Sequence, residues 1–351
     1  KMDNCIFMPA NLTAGLEYNA DRMHDNMWGY DRVTEQVIHI VSTYFQNEWR
    51  NETWSFLVGG RLDKHNLIEG VIFSPRANLR YNPVRNVNLR ASYSYGFRAP
   101  QAFDEDLHID NVGGTVSMIR LADDLRVEKS QSVSVSADMY HSWGDWQGNV
   151  LVEGFYTDLD NVFVLEDVGV NDYGHAIKER RNGAGARVYG ANIDAKIAHG
   201  KQFSLQLGFT AQQSRYKQPE TWTEVDGVAL TTKRMMRTPD YYGYFTFTSE
   251  PVKNFDFSLS GTYTGSMIVP HYAGYIEEDR MEVTPDFFDL NVKFNYTFVL
   301  HDHIKLQINT GVQNILGHFQ PDLDRGEWCD SGYFYGPGQP RTVFVGVKIT
   351  N

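Results

Sequence analysis

Five arginines are spaced for anion recognition: Arg61, Arg76, Arg80, Arg90 and Arg98. Each falls in a segment where polar and apolar residues alternate. From Leu89 to Phe97, the residues Leu89, Ala91, Tyr93, Tyr95 and Phe97 share one face, and Arg90, Ser92, Ser94, Gly96 and Arg98 share the other. The same alternation sets Arg76 and Arg80 opposite Ala77, Leu79 and Tyr81, and places Arg61 with Asp63. A guanidinium binds a carboxylate through two parallel N–H donors, which gives these residues two possible uses. They could pair with Glu48, Asp63 and acids on whatever fills the space before them, with Glu17 close by. Alternatively they could hold an anionic ligand, and Arg98, at the end of its segment, is the best placed for that.

Other chemistry is sparse. Loop aromatics, Tyr173, Trp222, Tyr272, Tyr275, Trp328 and Tyr333, could stack on a flat ligand, or simply pack one loop on another. The acidic runs Asp104-Glu105-Asp106 and Glu277-Glu278-Asp279 offer oxygens to Ca²⁺ but read equally as solvated charge, and no metal site is assigned. GxSxG, HExxH, CxxC and Walker patterns are absent, so no catalytic residue, no cofactor and no enzymatic activity are expected. A net charge of −12 argues against nucleic acid as a partner. Cys5 and Cys329 are too few for a disulfide framework, and either pair or remain two thiols.

Strands must position these residues. Alternating segments are expected at 10–20, 36–49, 54–64, 74–82, 87–98, 126–142, 148–166, 186–199, 203–217, 238–252, 254–270, 284–300, 303–317 and 339–351. In the clearest, Phe288, Leu290, Val292, Phe294, Tyr296 and Phe298 interleave with Asp289, Asn291, Lys293, Asn295 and Thr297. The links 50–53, 83–86, 199–202 and 301–302 are short. Those at 21–35, 65–73, 99–125, 167–185, 218–237, 271–283 and 318–338 form the long series. Short turns at one end and long loops at the other describe an all-β, antiparallel transmembrane barrel wall with lipid on one face and a wet lumen on the other. A soluble sandwich or propeller gives no reason for links to alternate in this way. No run of eighteen apolar residues exists, so no membrane-spanning helix is expected. The negative mean hydropathy is no objection, because only alternate residues meet lipid. The 20 Tyr and 21 Phe are enough for aromatic girdles at both interfaces. An Arg turned to mid-bilayer lipid costs on the order of 2–4 kcal/mol, so the arginines are expected to face the lumen as one basic wall.

Several motifs carry a family resemblance. Tyr95-Gly96-Phe97-Arg98-Ala99-Pro100 resembles the FRAP box of TonB-dependent outer-membrane receptors. Leu121-Ala122-Asp123-Asp124-Leu125-Arg126-Val127-Glu128-Lys129-Ser130 resembles that family's NPxL-KPExS segment, with Ala-Asp in place of Asn-Pro. Val312-Gln313-Asn314-Ile315-Leu316 is similar to its penultimate-strand signature, and Tyr335-Gly336-Pro337-Gly338-Gln339-Pro340-Arg341 to its entry into the last strand. The ending Ile349-Thr350-Asn351 departs from the family's aromatic terminus.

The resemblance implies a barrel of about twenty-two strands around an N-terminal plug. On that basis residues 1–351 are expected to be about fourteen C-terminal strands, with the plug and early strands missing from this chain. It also implies a Gram-negative outer-membrane receptor for active uptake of a bulky, scarce nutrient, most simply a metal chelate: a ferric siderophore, haem or a corrinoid. The implied partners are membrane lipid, the small-molecule cargo and the TonB inner-membrane complex, reached through the missing part. The arginines with Glu48 are then wall residues facing the plug. Arg98, His108, Tyr272 and Trp328 are the candidate cargo contacts, with His108 placed where haem receptors of the family often carry an iron ligand. A passive porin or adhesin barrel is the alternative.

Overall fold

Alternating side chains build one continuous wall. A computed structural model describes residues 2–5, 8–30, 32–107, 110–301 and 304–350. In chain order the strands begin with β1 (Met2–Cys5), β2 (Met8–Met27), β3 (Arg32–Arg50), β4 (Trp54–His65), β5 (Ile72–Val84) and β6 (Val87–Arg98). Next come β7 (Asp110–Val112), β8 (Thr115–Leu121), β9 (Glu128–Trp143), β10 (Trp146–Asp160), β11 (Phe163–Val170) and β12 (Ala176–Asn182). They are followed by β13 (Ala186–His199), β14 (Phe203–Val225), β15 (Val228–Arg234), β16 (Tyr241–Val252) and β17 (Phe255–Thr264). The last are β18 (Ile268–His271), β19 (Arg280–Val283), β20 (Phe287–His301), β21 (Ile304–Gln313) and β22 (Thr342–Thr350).

The main sheet has sixteen strands. Setting aside short β1 and the loop strand β15, it consists of fourteen long strands, each paired with the next long strand in sequence from β2 to β22. These correspond one to one with the fourteen expected segments. Among the described residues the sheet is open. Its last strand, β22, pairs only with β21, and the far edge of β2 carries only β1, through Met2↔Ala10 and Cys5↔Met8.

Five expectations need correction. The long link over 21–35 is mostly ladder, since β2 and β3 stay paired out to Met27↔Arg32. Polarity there marks the end of lipid contact, not the end of the strand. The segment 148–166 divides at Asn161, whose left-handed backbone (φ 55°) turns the chain from β10 into β11. The segment 254–270 divides likewise into β17 and β18. Nor is pairing antiparallel everywhere: in a small loop sheet β11-β12-β8-β7, β12 runs parallel to β8. Those two strands come from different long loops, so no hairpin sets their direction. One short helix, α1 (Asp104–Leu107), also interrupts the all-strand pattern.

Register separates the faces. Val58, Ala77, Tyr93, Val133, Tyr156 and Tyr189 lie opposite one another across six strands. Ser55, Arg80, Arg90, Ser136, Glu153 and Asn192 form a row of the other face. The apolar face is bare: Val135 is 60% and Val152 42% exposed. An uncovered apolar sheet of this extent would aggregate in water and is at home in lipid. The buried apolar cluster lies elsewhere, under the long loops, where Val269, Phe287, Tyr333 and Tyr335 meet. We expect Leu259→Arg, on the apolar face, to cost about 2–4 kcal/mol and to abolish recovery of heat-modifiable protein from membranes. Ser260→Arg, one residue on and facing the other way, should leave that recovery intact.

Candidate functional site

The long loops do not trail from the wall but close over it, and charge pairing begins the closure. Asp106 on α1 is buried and accepts from buried Arg180 on β12 (Nε to Oδ1, 2.8 Å). Its second oxygen accepts the Phe103 amide at 2.8 Å. Arg32, at the start of β3, donates to the carbonyls of Asp106 and Ile119. Beside this latch Glu179 accepts from Arg120 (2.8 Å) and Arg181. Those hydrogen bonds, Arg181's above all, hold the Glu179 carboxyl below its ordinary range.

A second closure joins four loops. The Gly113 amide donates to the Cys329 carbonyl at 3.1 Å. A Cβ on Gly274 would stand 2.1 Å from the Gly113 Cα, so the two backbones touch directly. Asp330 accepts the Tyr272 amide at 3.0 Å, and Asp279 accepts the Ala273 amide and the Thr223 hydroxyl. Under this junction His271 is buried, with Nε2 3.0 Å from Asp324 and its ring stacked on Tyr333 at 3.6 Å. Asp322 accepts both the Tyr333 (2.6 Å) and Tyr335 hydroxyls. Desolvation works to raise the Asp322 carboxyl, but the two phenols overcome it and hold it below the usual range. Burial, then the bond to Asp322, pushes the Tyr335 phenol up to about 12.

Tyr272 sits where these loops converge. The Lys178 ammonium lies 4.3 Å from its ring centroid, and the Trp222 ring is 5.8 Å away. Burial pushes its phenol above the ordinary value. Trp328 lies over Gly114 and remains 58% exposed. Arg98 ends β6 with its guanidinium 3.8 Å from the Phe103 ring and 5.4 Å from that of Phe163, and thus ties the following loop down. His108 lies outside the described residues, as does the side chain of Cys5, while Cys329 is a free thiol.

On the wall, the structure places Arg61, Arg76, Arg80 and Arg90 on the face away from Tyr93 and Tyr95. Arg61 binds Glu17 (2.9 Å), buried Asp63 (2.7 Å) and buried Ser42 (2.7 Å). Glu48 accepts from Ser55 (2.7 Å), so it does not belong to the Arg61 network. Arg80 and Arg90 stand directly opposite each other, and Arg90 donates to Asn88 at 2.8 Å. The reading from sequence missed Lys178, the Asp106–Arg180 pair and His271–Asp324. No periodicity announces such pairs, because their members lie 53 and 74 positions apart. Lys178 and Arg180 sit in Ala176–Asn182, whose sequence, two apolar residues followed by five polar ones, carries no alternation that would mark a strand.

A family model described as "TonB dependent receptor-like, beta-barrel" matches residues 7–315. A search of curated proteins finds no match. Among solved structures, a mutant of the ferric enterobactin receptor PfeA from Pseudomonas aeruginosa superposes with a TM-score of 0.68 at 17% identity, covering 98% of this chain and 51% of that one. The siderophore receptor PirA from Acinetobacter baumannii gives 0.68 at 18% identity, covering 97% and 52%. The FrpB iron transporter from Neisseria meningitidis gives 0.62 at 14%, covering 90% and 46%. The chain therefore spans about half the length of the structures it matches.

Two outcomes are expected. Arg180→Met strands a buried carboxylate, which costs about 3–5 kcal/mol locally. Protease nicking within 99–125 should appear while the heat-modifiable wall persists. The second outcome concerns pH. A depressed carboxyl stabilises fully above its unfolded value near 4 and loses that contribution as pH falls through its folded value. Amide exchange over 318–338 should therefore quicken below about pH 4, and Asp322→Asn should already show the faster exchange at pH 7.

Proposed function

Because the chain belongs to the TonB-dependent receptor-like β-barrel family, we propose that it forms most of the wall and the ligand-facing loops of a Gram-negative outer-membrane receptor. The receptor takes up a bulky, scarce metal chelate by TonB-driven transport. The observation that carries this reading is the family match, which runs from β2 into the turn after β21 and so includes both the wall and most of the loop cap. The names of the matched structures, a ferric enterobactin receptor, a siderophore receptor and an iron transporter, support a chelated metal as cargo. A siderophore, haem and a corrinoid all remain within that class. These matches are transport receptors, which agrees with a chain lacking any recognisable catalytic motif.

The geometry supports the following roles. Lipid meets the apolar face and the lumen meets the arginine face. A plug and further strands complete the barrel and cover its two open edges, since unpaired backbone is costly in hydrocarbon. TonB acts through that remaining part. In the cap, Tyr272 with Lys178, and exposed Trp328, present aromatic faces and one cation to a flat, anionic cargo. His108 serves as an iron ligand only if the cargo is haem. Arg98, engaged by Phe103 and Phe163, positions the loop that carries it.

The test is growth and uptake by a deletion strain supplied in turn with haem, ferric siderophores or cobalamin as sole source. Loss on one of them identifies the cargo. Unchanged growth on all, together with free passage of small solutes through reconstituted protein, would replace this reading with the porin alternative. For the cargo so identified, Lys178→Ala and Tyr272→Ala should each weaken binding to the purified receptor about tenfold, or about 1.4 kcal/mol. If that cargo is haem, His108→Ala should do the same by titration.

A further inference from the structure

Within the single loop that precedes β22, hard oxygen donors converge. Tyr333 and Tyr335 flank Phe334 in an extended stretch, so their rings share one side while Phe334, 48% exposed, takes the other. Gln320 fixes that stretch: its side-chain nitrogen donates to the Tyr333 carbonyl at 3.1 Å, and its side-chain oxygen accepts the Tyr335 amide at 3.0 Å. Both tyrosines are buried, yet both hydroxyls meet exposed Asp322, one on each carboxylate oxygen. Elsewhere among the described residues an aspartate takes one phenol at most, as Asp138 does from Tyr140, Asp194 from Tyr244 and Asp286 from Tyr263. Four oxygens of three side chains thus meet in one place. Beside them His271 stacks on Tyr333 at 3.6 Å. Its side chain is 4% exposed and its Nδ1 has no hydrogen-bond partner, with Glu282 3.7 Å away. A buried ring nitrogen in that state calls for a group that is not part of the chain.

We propose that Tyr333, Tyr335 and Asp322 form a site for a ferric ion held by the protein itself, without an organic chelator, through two phenolates and a carboxylate. The site rests on the receptor reading for its purpose, the direct capture of iron, but not for its chemistry. On binding, each phenol O–H bond breaks and an O–Fe bond forms, two protons pass to water, and the iron stays ferric throughout. The oxygens already stand at a suitable separation. An octahedral ion with bonds of about 2 Å keeps neighbouring oxygens about 2.9 Å apart, and the Tyr333 hydroxyl is 2.6 Å from Asp322 Oδ2. An ion can therefore replace the two protons with small side-chain shifts. Among the described residues no three His, Cys, Asp or Glu side chains gather for a metal, so the phenols are what make the site. They also choose the ion. Ca²⁺ and Mg²⁺ are served by carboxylates, carbonyls and water, and softer divalent ions by thiolates and imidazoles. Phenolate is a ligand of iron, as in the tyrosine-bound haem of catalase. Charge agrees with a cation. Arg237 is engaged by the Gly332 and Phe334 carbonyls and Arg280 by Glu282, while Asp322, Asp324 and Glu282 outnumber them.

The test uses the full-length receptor in detergent, titrated with ferric nitrilotriacetate and read by visible absorption. Phenolate-bound ferric iron gives a charge-transfer band that neither the chelate nor the iron-free protein has. Resonance Raman spectra excited in that band should show tyrosine ring modes. Tyr333→Phe and Tyr335→Phe should each weaken the apparent affinity at least tenfold, and the double variant should lose the band. Phenylalanine keeps the rings that pack with Val269 and Phe287, and the Raman measurement needs no variant, so it decides even where a variant misfolds. Tyr140→Phe, which removes a phenol from a single aspartate on the wall, should change nothing. Ga³⁺ should abolish the band by competition, and an excess of Ca²⁺ should not. No band, a band without tyrosine modes, or a band that survives the double variant overturns the proposal. So does displacement by Ca²⁺ or Zn²⁺ as readily as by Ga³⁺. Radiolabelled nitrilotriacetate retained in proportion to the iron would show a chelate site, which overturns it as well. Uptake by the deletion strain tests the receptor reading separately: a chelate can be taken up while the band is missing, and the band can form in a protein that takes up none.

Discussion

In hydrocarbon, every backbone N–H and C=O must find its partner within the protein. The whole wall depends on that constraint. It is visible in where the ladders break. Between β9 and β10, fifteen consecutive residue pairs run without a shift, and β10 to β13 adds fourteen more. Where register does shift in the wall, it shifts at the short-turn rim: between Tyr81 and Val84, Ser249 and Val252, Val299 and His301. The other shifts fall between Met2 and Cys5 of short β1 and in loop strands, as between Asp167 and Gly169. A bulge leaves unpaired amides, which water can satisfy at a rim and lipid cannot satisfy in the middle. The unbroken central register then fixes the faces, because a slip of one residue would carry each arginine into lipid.

Confining ionisable groups to one face gives that face a pattern of its own. Arg61 is matched locally by Glu17 and Asp63. Farther on, Arg80 and Arg90 oppose each other, and the row through them reaches Glu153, which Asn192 binds at 3.2 Å. Beyond it Asp194 accepts from Tyr244 at 2.9 Å, with Lys196 beside it on the same face. Lys293, Lys305 and Lys348 follow toward β22. Whatever occupies the polar side meets an uneven pattern of charge, which favours one rotational setting over others.

The wall was legible from sequence because lipid enforces a period of two over long stretches. Every long strand announced itself, and the sides chosen for Arg61, Arg76, Arg80 and Arg90 relative to Tyr93 and Tyr95 are those the register shows. The family motifs also have physical content. Asn314 adopts a left-handed backbone (φ 46°) and ties His318 and Gln339 together with its side chain, so it ends β21 and aims the chain back toward β22. The loops were legible only as long and polar. Their strands are short, their partners come from other loops, and water relieves them of any strict period. β8 finds β12 across the sequence in parallel, a pairing no local pattern encodes.

Loop closure accordingly obeys different physics from the wall. Its segments are too short to hold themselves, and each depends on a group supplied by another loop: Asp106 on Arg180, Gly113 on Gly274, Asp324 on His271. A buried ion pair adds little net stability against an apolar replacement, but losing one partner is costly, so such a pair specifies arrangement more than it strengthens it. The same holds for the glycine contact, where even a methyl group has no room. A cap assembled from interdependent contacts of this kind opens or closes largely as a unit, because releasing one loop strands the charged or close-packed group of its neighbour. Tyr272, Lys178 and Trp222 come from three of those loops. Their cluster therefore exists only when the cap is assembled, and a ligand that binds it stabilises the closed arrangement over any other by its differential contact alone.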